Sequence, residues 1–276
     1  CIRDRSGLFR VRAFHQDDAH LYMTSEQIKD EILGVLNLSE RIYSTFGLGF
    51  FLELSTRPER SIGTDEQWET ATRGLAAALD TYGQDYQLNE GDGAFYGPKI
   101  DLHIRDALNR TWQCGTIQLD MSLPERFNLQ YIDKDNEKHR PTMIHRTVFG
   151  SIERFLGILI EHFAGKFPLW LSPLQAIILP INDDLVPCAN EVLATLKNAG
   201  LRAEVDSRTE SLNKKVREAQ LQYIPIILTV GGREKEASTL SVRTLDGNVK
   251  YGVSHETFLN TVQTHIRNRE LSLEFV

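Results

Sequence analysis

The chain has 276 residues, 41% of them hydrophobic and 25% charged, enough for one large domain or two ordinary ones of soluble globular type. No apolar run approaches the roughly 18 residues of a membrane span, and no N-terminal run of signal-peptide type points to export. A net charge of −7 does not advertise a nucleic-acid binder but leaves room for a local basic strip, and three widely spaced cysteines (Cys1, Cys114, Cys188) argue against a disulfide framework or a Cys-only zinc ribbon and for a reducing cytoplasm.

In chain order, the first informative stretch is the polar run Arg10-Val-Arg12-Ala-Phe14-His-Gln16-Asp17-Asp18-Ala-His20. Read as a strand, it sets Arg10 and Arg12 on one face and pairs Asp18 with His20. Arginine suits bidentate phosphate binding, Phe14 offers a ring on which a base can stack, and a carboxylate beside a histidine suits a metal. An exposed strand of mixed charge is the plainer alternative. Thr24-Ser25-Glu26-Gln27 forms a capping-box pattern, and Ile28, Ile32, Leu33 and Leu36 follow at helical spacing up to a closing Gly47.

A glycine-rich loop over 90–98 leads into the alternating strand Lys99–Ile104, and Thr116–Met121 alternates likewise. Alternation through Trp112–Asp120 puts Cys114, Thr116 and Gln118 on one face and Gln113 with Gly115 on the other. Ile152, Phe155, Leu156, Leu159, Ile160 and Phe163 form a stripe that makes Ser151–Phe163 a helix. His145 precedes this helix, and Arg154 stands in its first turn, beside amides that attract anions. A helix cap with a surface arginine is the alternative. Strands and helices mix here without a βαβ rhythm, which points to an α+β fold with an antiparallel sheet.

Two prolines in Phe167–Pro173 mark a boundary after residue 170. Beyond it the pattern is βαβαβ: a strand at Ala176–Pro180, a helix at Val186–Asn198 stopped by Gly200, a strand at Leu201–Val205, a helix at Leu212–Tyr223 and a strand at Pro225–Val230. A hairpin, Leu240–Leu245 and Asn248–Tyr251, is joined through Asp246-Gly247 in a type I′ turn, and a last helix runs from His255 to Arg267. This is a second, small α/β domain with a mixed sheet.

Together these runs resemble the class II aminoacyl-tRNA synthetases in their threonyl form. Gly7–His20 is similar to the second half of motif 2. Gly93-Ala-Phe-Tyr-Gly-Pro-Lys99 and Trp112–Asp120 resemble the active-site strands, and Met143–Arg146 through Gly150–Phe155 resembles motif 3. The likeness runs in order from Gly7 to about Arg267. The Gln16-Asp-Asp-Ala-His20 run distinguishes the threonyl branch from prolyl, seryl, histidyl and glycyl relatives.

The resemblance implies an N-terminally truncated α+β antiparallel-sheet catalytic domain, 1–170, followed by a small α/β mixed-sheet anticodon-binding domain, 171–276. It implies a cytoplasmic ligase that joins threonine to ATP as threonyl-adenylate and passes it to threonine tRNA. Arg10 then meets the ATP phosphates, Phe14 the adenine and Arg154 the γ-phosphate. Lys99 and Gln113 lie near the nucleotide and the reacting carboxylate, with Mg²⁺ accompanying ATP. His20 and His145 match two of the family's three Zn²⁺ ligands. Gln16, Asp18, Tyr96, Thr116 and Gln118 match the threonine pocket, with Asp18 on the hydroxyl. Arg217, Glu234 and Arg243 match anticodon-reading positions, while Thr209 stands where Asn is common.

The sequence departs from the family at several points. Residues 1–6 do not match it. The third zinc ligand (a cysteine), the homodimer interface of motif 1, the first strand of motif 2 with its arginine, and an editing domain are absent from the sequence. The expectation is therefore a fragment with an incomplete zinc site, inactive alone. A synthetase-like RNA-binding protein without catalysis, and a synthetase of another specificity, are the competing readings.

Overall fold

The computed structural model describes residues 7–275, so the expectation about residues 1–6 lies outside the described residues. The chain divides between His162 and Phe163 into two units, each with its own sheet. The expected boundary lay eight residues later. Phe163–Trp170 goes with the second unit because Leu169 is buried in that unit's core and Arg202 donates hydrogen bonds to Trp170 O and Ser172 O.

The first unit contains β1 (Ala19–Met23), α1 (Ile28–Thr45), β2 (Phe50–Ser55), α2 (Asp65–Tyr82), β3 (Tyr86–Asn89), β4 (Lys99–Arg105), β5 (Thr111–Asp120), α3 (Leu123–Arg126), β6 (Tyr131–Ile132), β7 (Lys138–His139), β8 (Thr142–Thr147) and α4 (Ile152–His162). Six strands form one sheet in the order β1-β8-β5-β4-β2-β3, antiparallel except for the parallel β2–β3 pair. The antiparallel expectation holds. The polar run of motif 2 is not a strand throughout: a short 3₁₀ turn covers Gly7–Phe9, and regular pairing begins only at Ala19.

Hydrophobic alternation sets the two faces of this sheet. Leu52, Leu54, Ile100, Leu102, Ile104, Ile117 and Ile144 are fully or almost fully buried, and each such side chain contributes about 1.5–3 kcal/mol by leaving water. The helices bring their own apolar stripes, Ile32, Val35, Leu36 and Tyr43 from α1 and Phe155, Ile158 and Leu159 from α4. Tyr43 links the two, stacking on Phe155 and donating its hydroxyl to Val148 O at 2.5 Å. The helix α2 was not anticipated, although Thr64-Asp-Glu-Gln67 repeats the cap signal seen before α1. Gln67 N–H donates to Thr64 Oγ1 and Gln67 Oε1 accepts from Thr64 N–H, and the helix buries Trp68, Ala71, Leu75, Ala78 and Leu79.

The second unit contains β9 (Ala176–Pro180), α5 (Val186–Asn198), β10 (Ala203–Val205), α6 (Leu212–Leu221), β11 (Ile226–Val230), α7 (Gly232–Ala237), β12 (Thr239–Thr244), β13 (Val249–Ser254) and α8 (His255–Asn268). Its sheet, β10-β9-β11-β12-β13, is parallel on one side and antiparallel on the other, the expected mixed arrangement. One core gathers Ile178, Leu228 and Val242 with Val192 and Leu196 of α5 and Phe258 and Val262 of α8. A smaller core on the other face joins Leu179 and Ile227 to Ala219 of α6.

The hairpin turn differs from expectation. A type I′ turn needs positive φ at both central residues, but here only Gly247 is left-handed, at φ 92°. Gly247 N–H donates to Thr244 O and Thr244 N–H to Asn248 O, so the loop has three residues and ends on a glycine bulge. Asp246 stays out of the left-handed region because its carboxylate accepts from Thr244 Oγ1 and Asn248 N–H instead. Among the described residues, no helix is long and apolar enough to cross a membrane.

Candidate functional site

The face of the six-stranded sheet opposite its helices is polar, and register explains what meets there. Lys99 pairs with Gln118, Asp101 with Thr116, Gln118 with His145, and His145 with His20, so these side chains share a side across four strands. A cleft of about 520 Å³ opens over this face, lined by Arg10, Phe14, Gln16, Asp18, Tyr96, Gln113, Thr116, Gln118, His145 and Arg154, with Arg146 and Thr147 beside them.

Of the residues expected at the nucleotide end, Arg10, Phe14, Gln113 and Arg154 line the cleft and Lys99 does not. Lys99 is on the same side of the sheet, but its ammonium is buried against Asp101 and reaches Asp92 at 3.2 Å. Burial pulls its pKa down, yet contact with Asp101 and Asp92 wins and holds it above the ordinary value. The Arg154 guanidinium stacks over Trp112 at 5.4 Å and donates to Phe9 O at 3.1 Å and Gln113 O at 3.0 Å. The amides at the start of α4 are engaged, Ile152 N–H with His15 O and Arg154 N–H with Ser151 Oγ. Positive charge at this end of the cleft is therefore that of the Arg10 and Arg154 guanidinium groups, the Ile152 and Arg154 amides being engaged.

Gln113 corrects a sequence expectation. A bulge pairs Leu102 with Gly115 and His103 with Gln113, leaving Cys114 as the extra residue of β5. Strict alternation fails at that point. Gln113 swings to the face of Thr116, where its Nε2 donates to Thr116 Oγ1 at 3.0 Å and to Asp101 Oδ1 at 2.6 Å. Cys114 is buried, and burial pushes its thiol up to about 12, so it is an inert core sulfur.

At the other end, Asp18, His20 and His145 bring one ligand atom each to within 4.8 Å of one another. The two imidazoles meet edge to face, ring centroids 4.7 Å apart. His145 Nε2 lies 2.8 Å from Asp120 Oδ2, and the buried Asp120 is itself held by the N–H groups of Ser122 and Leu123. That contact fixes the ring and leaves Nδ1 for a metal, the arrangement by which a carboxylate orients a metal-binding histidine. Two imidazoles and a carboxylate suit zinc. Tyr96 donates its hydroxyl to Gln118 Oε1 at 2.5 Å, and burial, aided by the charges of Asp120 and Asp18, raises its pKa and keeps it a donor.

Several residues that shape the cleft were not singled out from the sequence. Asp17 accepts the N–H groups of Val148 and Phe149 at 2.8 and 3.0 Å, and lies 3.6 Å from the Arg146 guanidinium. Glu153 accepts His15 N–H at 3.0 Å, His15 Nδ1 at 2.7 Å and Ser151 Oγ at 3.1 Å. These two carboxylates stitch the irregular run containing Phe14, Gln16 and Asp18 to the turn before α4. All five of Asp17, Asp101, Asp120, Arg146 and Glu153 sit within or beside the quoted motifs, but nothing in the sequence separates supports from contacts.

In the second unit Glu234 and Arg243 share a side. Glu234 accepts from Ser241 Oγ at 2.7 Å and from Gly231 N–H at 3.0 Å, and Arg243 follows two residues later on the same strand, with Nη1 donating to Gly247 O at 3.2 Å. Ser241 and Arg243 pair with Thr229 and Ile227, the sheet face that α6 covers in part, and α6 carries the exposed Arg217. Thr209 is exposed in the loop before that helix.

Comparisons with known proteins fit both units. A family described as tRNA synthetase class II core domain (G, H, P, S and T) matches residues 2–163, and one described as anticodon binding domain matches residues 175–265. The threonine–tRNA ligase of Desulfatibacillum aliphaticivorans is 71% identical over 268 residues, 97% of this chain and 42% of that protein. The threonine–tRNA ligase of Clostridioides difficile is 57% identical over 264 residues, 96% of this chain and 41% of that one. The chain thus spans about two fifths of the length of the curated relatives it matches. Among solved structures, the RNA binding domain of threonyl-tRNA synthetase from Cryptosporidium parvum superposes with TM-score 0.87 at 42% identity, covering 98% of this chain and 67% of that one. A putative threonyl-tRNA synthetase from Aeropyrum pernix superposes at TM-score 0.76 and 26% identity, covering 98% and 67%.

Proposed function

The chain belongs to the class II tRNA synthetases, in the threonine–tRNA ligase family, and on that premise we propose that its cleft binds ATP and threonine for formation of threonyl-adenylate and that its second unit reads the anticodon of threonine tRNA. The observation that carries the threonine reading is the meeting of Asp18, His20 and His145 at one end of the cleft whose other end is lined by Arg10, Phe14 and Arg154.

Adenylate formation builds negative charge on phosphorus, so the protein's work is positioning and electrostatic stabilisation. Arg10 and Arg154 supply fixed positive charge to the phosphates, which Mg²⁺ would accompany. Arg154 is pre-aimed by two backbone carbonyls and the Trp112 ring. Phe14 offers an exposed aromatic face for adenine. A zinc ion held by His20 and His145 would bind the amino and hydroxyl groups of threonine. Asp18 would accept a hydrogen bond from the threonine hydroxyl, and Tyr96 and Gln118 would close the pocket. A pocket built to satisfy a hydroxyl rejects valine, which leaves those polar groups unpaired. We propose that a full-length form of this protein works as a cytoplasmic homodimer, as its resemblance to the family implies.

Calorimetric titration tests the reading. The zinc-supplemented chain should bind threonine at least tenfold more tightly than valine, and ATP without need of threonine. Equal binding of valine and threonine would overturn the threonine assignment.

A further inference from the structure

Tyr251 is the most exposed large hydrophobic side chain among the described residues, 75% open to solvent. It lies on β13, an edge strand of the second unit's sheet, and its ring makes no hydrogen bond or aromatic contact among those residues. A single exposed aromatic ring is ordinary on a protein surface. What singles this one out is the face on which it stands.

Register settles that face. Val249 pairs with Arg243 and Lys250 with Val242, and Val242 belongs to the core under α5 and α8. Lys250 therefore points to the α5–α8 side, and Val249 and Tyr251 to the other. The next pair is Leu240 with Val253, so Tyr251 and Gly252 together stand against Ser241 in a bulge that Gly252 permits at φ 67°. Tyr251 thus shares its side of the sheet with Ser241 and Arg243. Ser241 Oγ donates to Glu234 Oε1 at 2.7 Å, which brings the Glu234 carboxylate to the same place.

The chemistry gathered there is an open aromatic ring, a carboxylate and a guanidinium. Arg243 has no carboxylate partner among the described residues, and Nη1 donates only to Gly247 O. The bulge also breaks the outer edge of β13, so this edge is a poor template for an added peptide strand. An unpaired nucleobase fits the set: its π-face stacks on the ring, its polar edge meets the carboxylate, and its phosphate meets the guanidinium. The anticodon-binding family model spans residues 175–265 and includes this hairpin.

We infer that Tyr251 is a stacking platform for one unpaired base of the anticodon loop, beside the candidate base-reading pair Glu234 and Arg243. The inference rests on the reading of the second unit as anticodon-binding. It adds to that unit a contact made by shape rather than by charge.

The test measures binding of the full chain to the anticodon stem–loop of threonine tRNA by fluorescence anisotropy. Tyr251→Ala should weaken binding about five- to 150-fold, the worth of one base stacked on an aromatic ring, while Tyr251→Phe, which keeps the ring, should stay within about twofold of the wild type. The slope of log affinity against log salt should be unchanged in Tyr251→Ala, because the lost contact involves no phosphate. An abasic site placed at each loop position in turn should reveal one position at which the wild type and Tyr251→Ala bind alike, and that position is the stacked base. A readout on the unaltered chain is the Tyr251 ring protons, which should move upfield on binding under the ring current of the base. Wild-type affinity in Tyr251→Ala, equal losses in the Ala and Phe variants, an abasic scan without such a position, or unmoved ring protons would each overturn the inference alone. A wild-type chain that binds no stem–loop overturns the anticodon reading with it.

Discussion

His20 and His145 are direct cross-strand partners in β1 and β8, 125 positions apart in sequence, and their rings stand at 74° with centroids 4.7 Å apart. Nothing local brings them together; the antiparallel register does. Zinc titration should find one weak site in the chain. His20→Ala should weaken it at least tenfold, and Asp120→Asn, which frees the His145 ring, by about 10- to 100-fold. Unchanged affinity in His20→Ala would remove the metal reading and with it the threonine assignment.

Nucleotide binding should depend on shape as much as on charge. Arg154→Lys keeps a positive charge but cannot span two carbonyls and stack on Trp112 at once. We expect ATP affinity to fall at least tenfold. Phe14→Ala should cost about 1–3 kcal/mol, the worth of a base stacked on an aromatic ring. Calorimetry of both variants checks this, and a Phe14→Ala variant that binds ATP like the wild type would place the adenine elsewhere.

The contact between Glu153 and His15 should make stability depend on acid. The His15 ring and backbone N–H hold the Glu153 carboxyl down at about 2, against an ordinary value near 4.5. A carboxyl with a lowered folded pKa stabilises the fold above its unfolded value, and that contribution disappears as pH falls from about 4.5 towards 2. Glu153→Gln should therefore lower stability at pH 7 and flatten the fall in melting temperature across that acid window. A variant with the wild-type slope would show that the contact has no energetic weight.

The second unit has its own cores and should protect anticodon-loop nucleotides of threonine tRNA in footprinting at low salt. Protection should weaken steeply with salt, because phosphate contacts release counterions. Arg243→Ala and Arg217→Ala should each reduce it by about 1–3 kcal/mol if they read bases. An effect that is uniform across anticodon sequences would reassign them to the backbone.

Gly150 should tolerate no side chain. Its φ is 65°, and an added Cβ would lie 2.3 Å from Cys114 O. Gly150→Ala should cost roughly 2 kcal/mol or more, read as a drop in melting temperature, since strain and a backbone clash act together.

How much of this was legible follows from the physics of each element. The stripe of α4 and the βαβαβ rhythm of the second unit were readable because local periodicity makes them, and the motifs carried the family. The helix α2 was missed despite its cap signal. The type I′ assignment failed because Asp-Gly also serves a three-residue loop when the aspartate side chain caps its neighbours.

By itself the sequence determined which residue types were available and marked many of the helices and strands, though not α2 or the irregular stretch before Ala19, since propensity, capping and hydrophobic period act over a few residues. Only the tertiary structure decided that Gln113 joins Thr116 across a bulge, that Lys99 is spent on Asp101 and Asp92, and that Asp18 and His20 meet His145 with Asp120 behind it. Those facts depend on strand register and on competition for buried hydrogen bonds between residues tens of positions apart, and no local pattern encodes either.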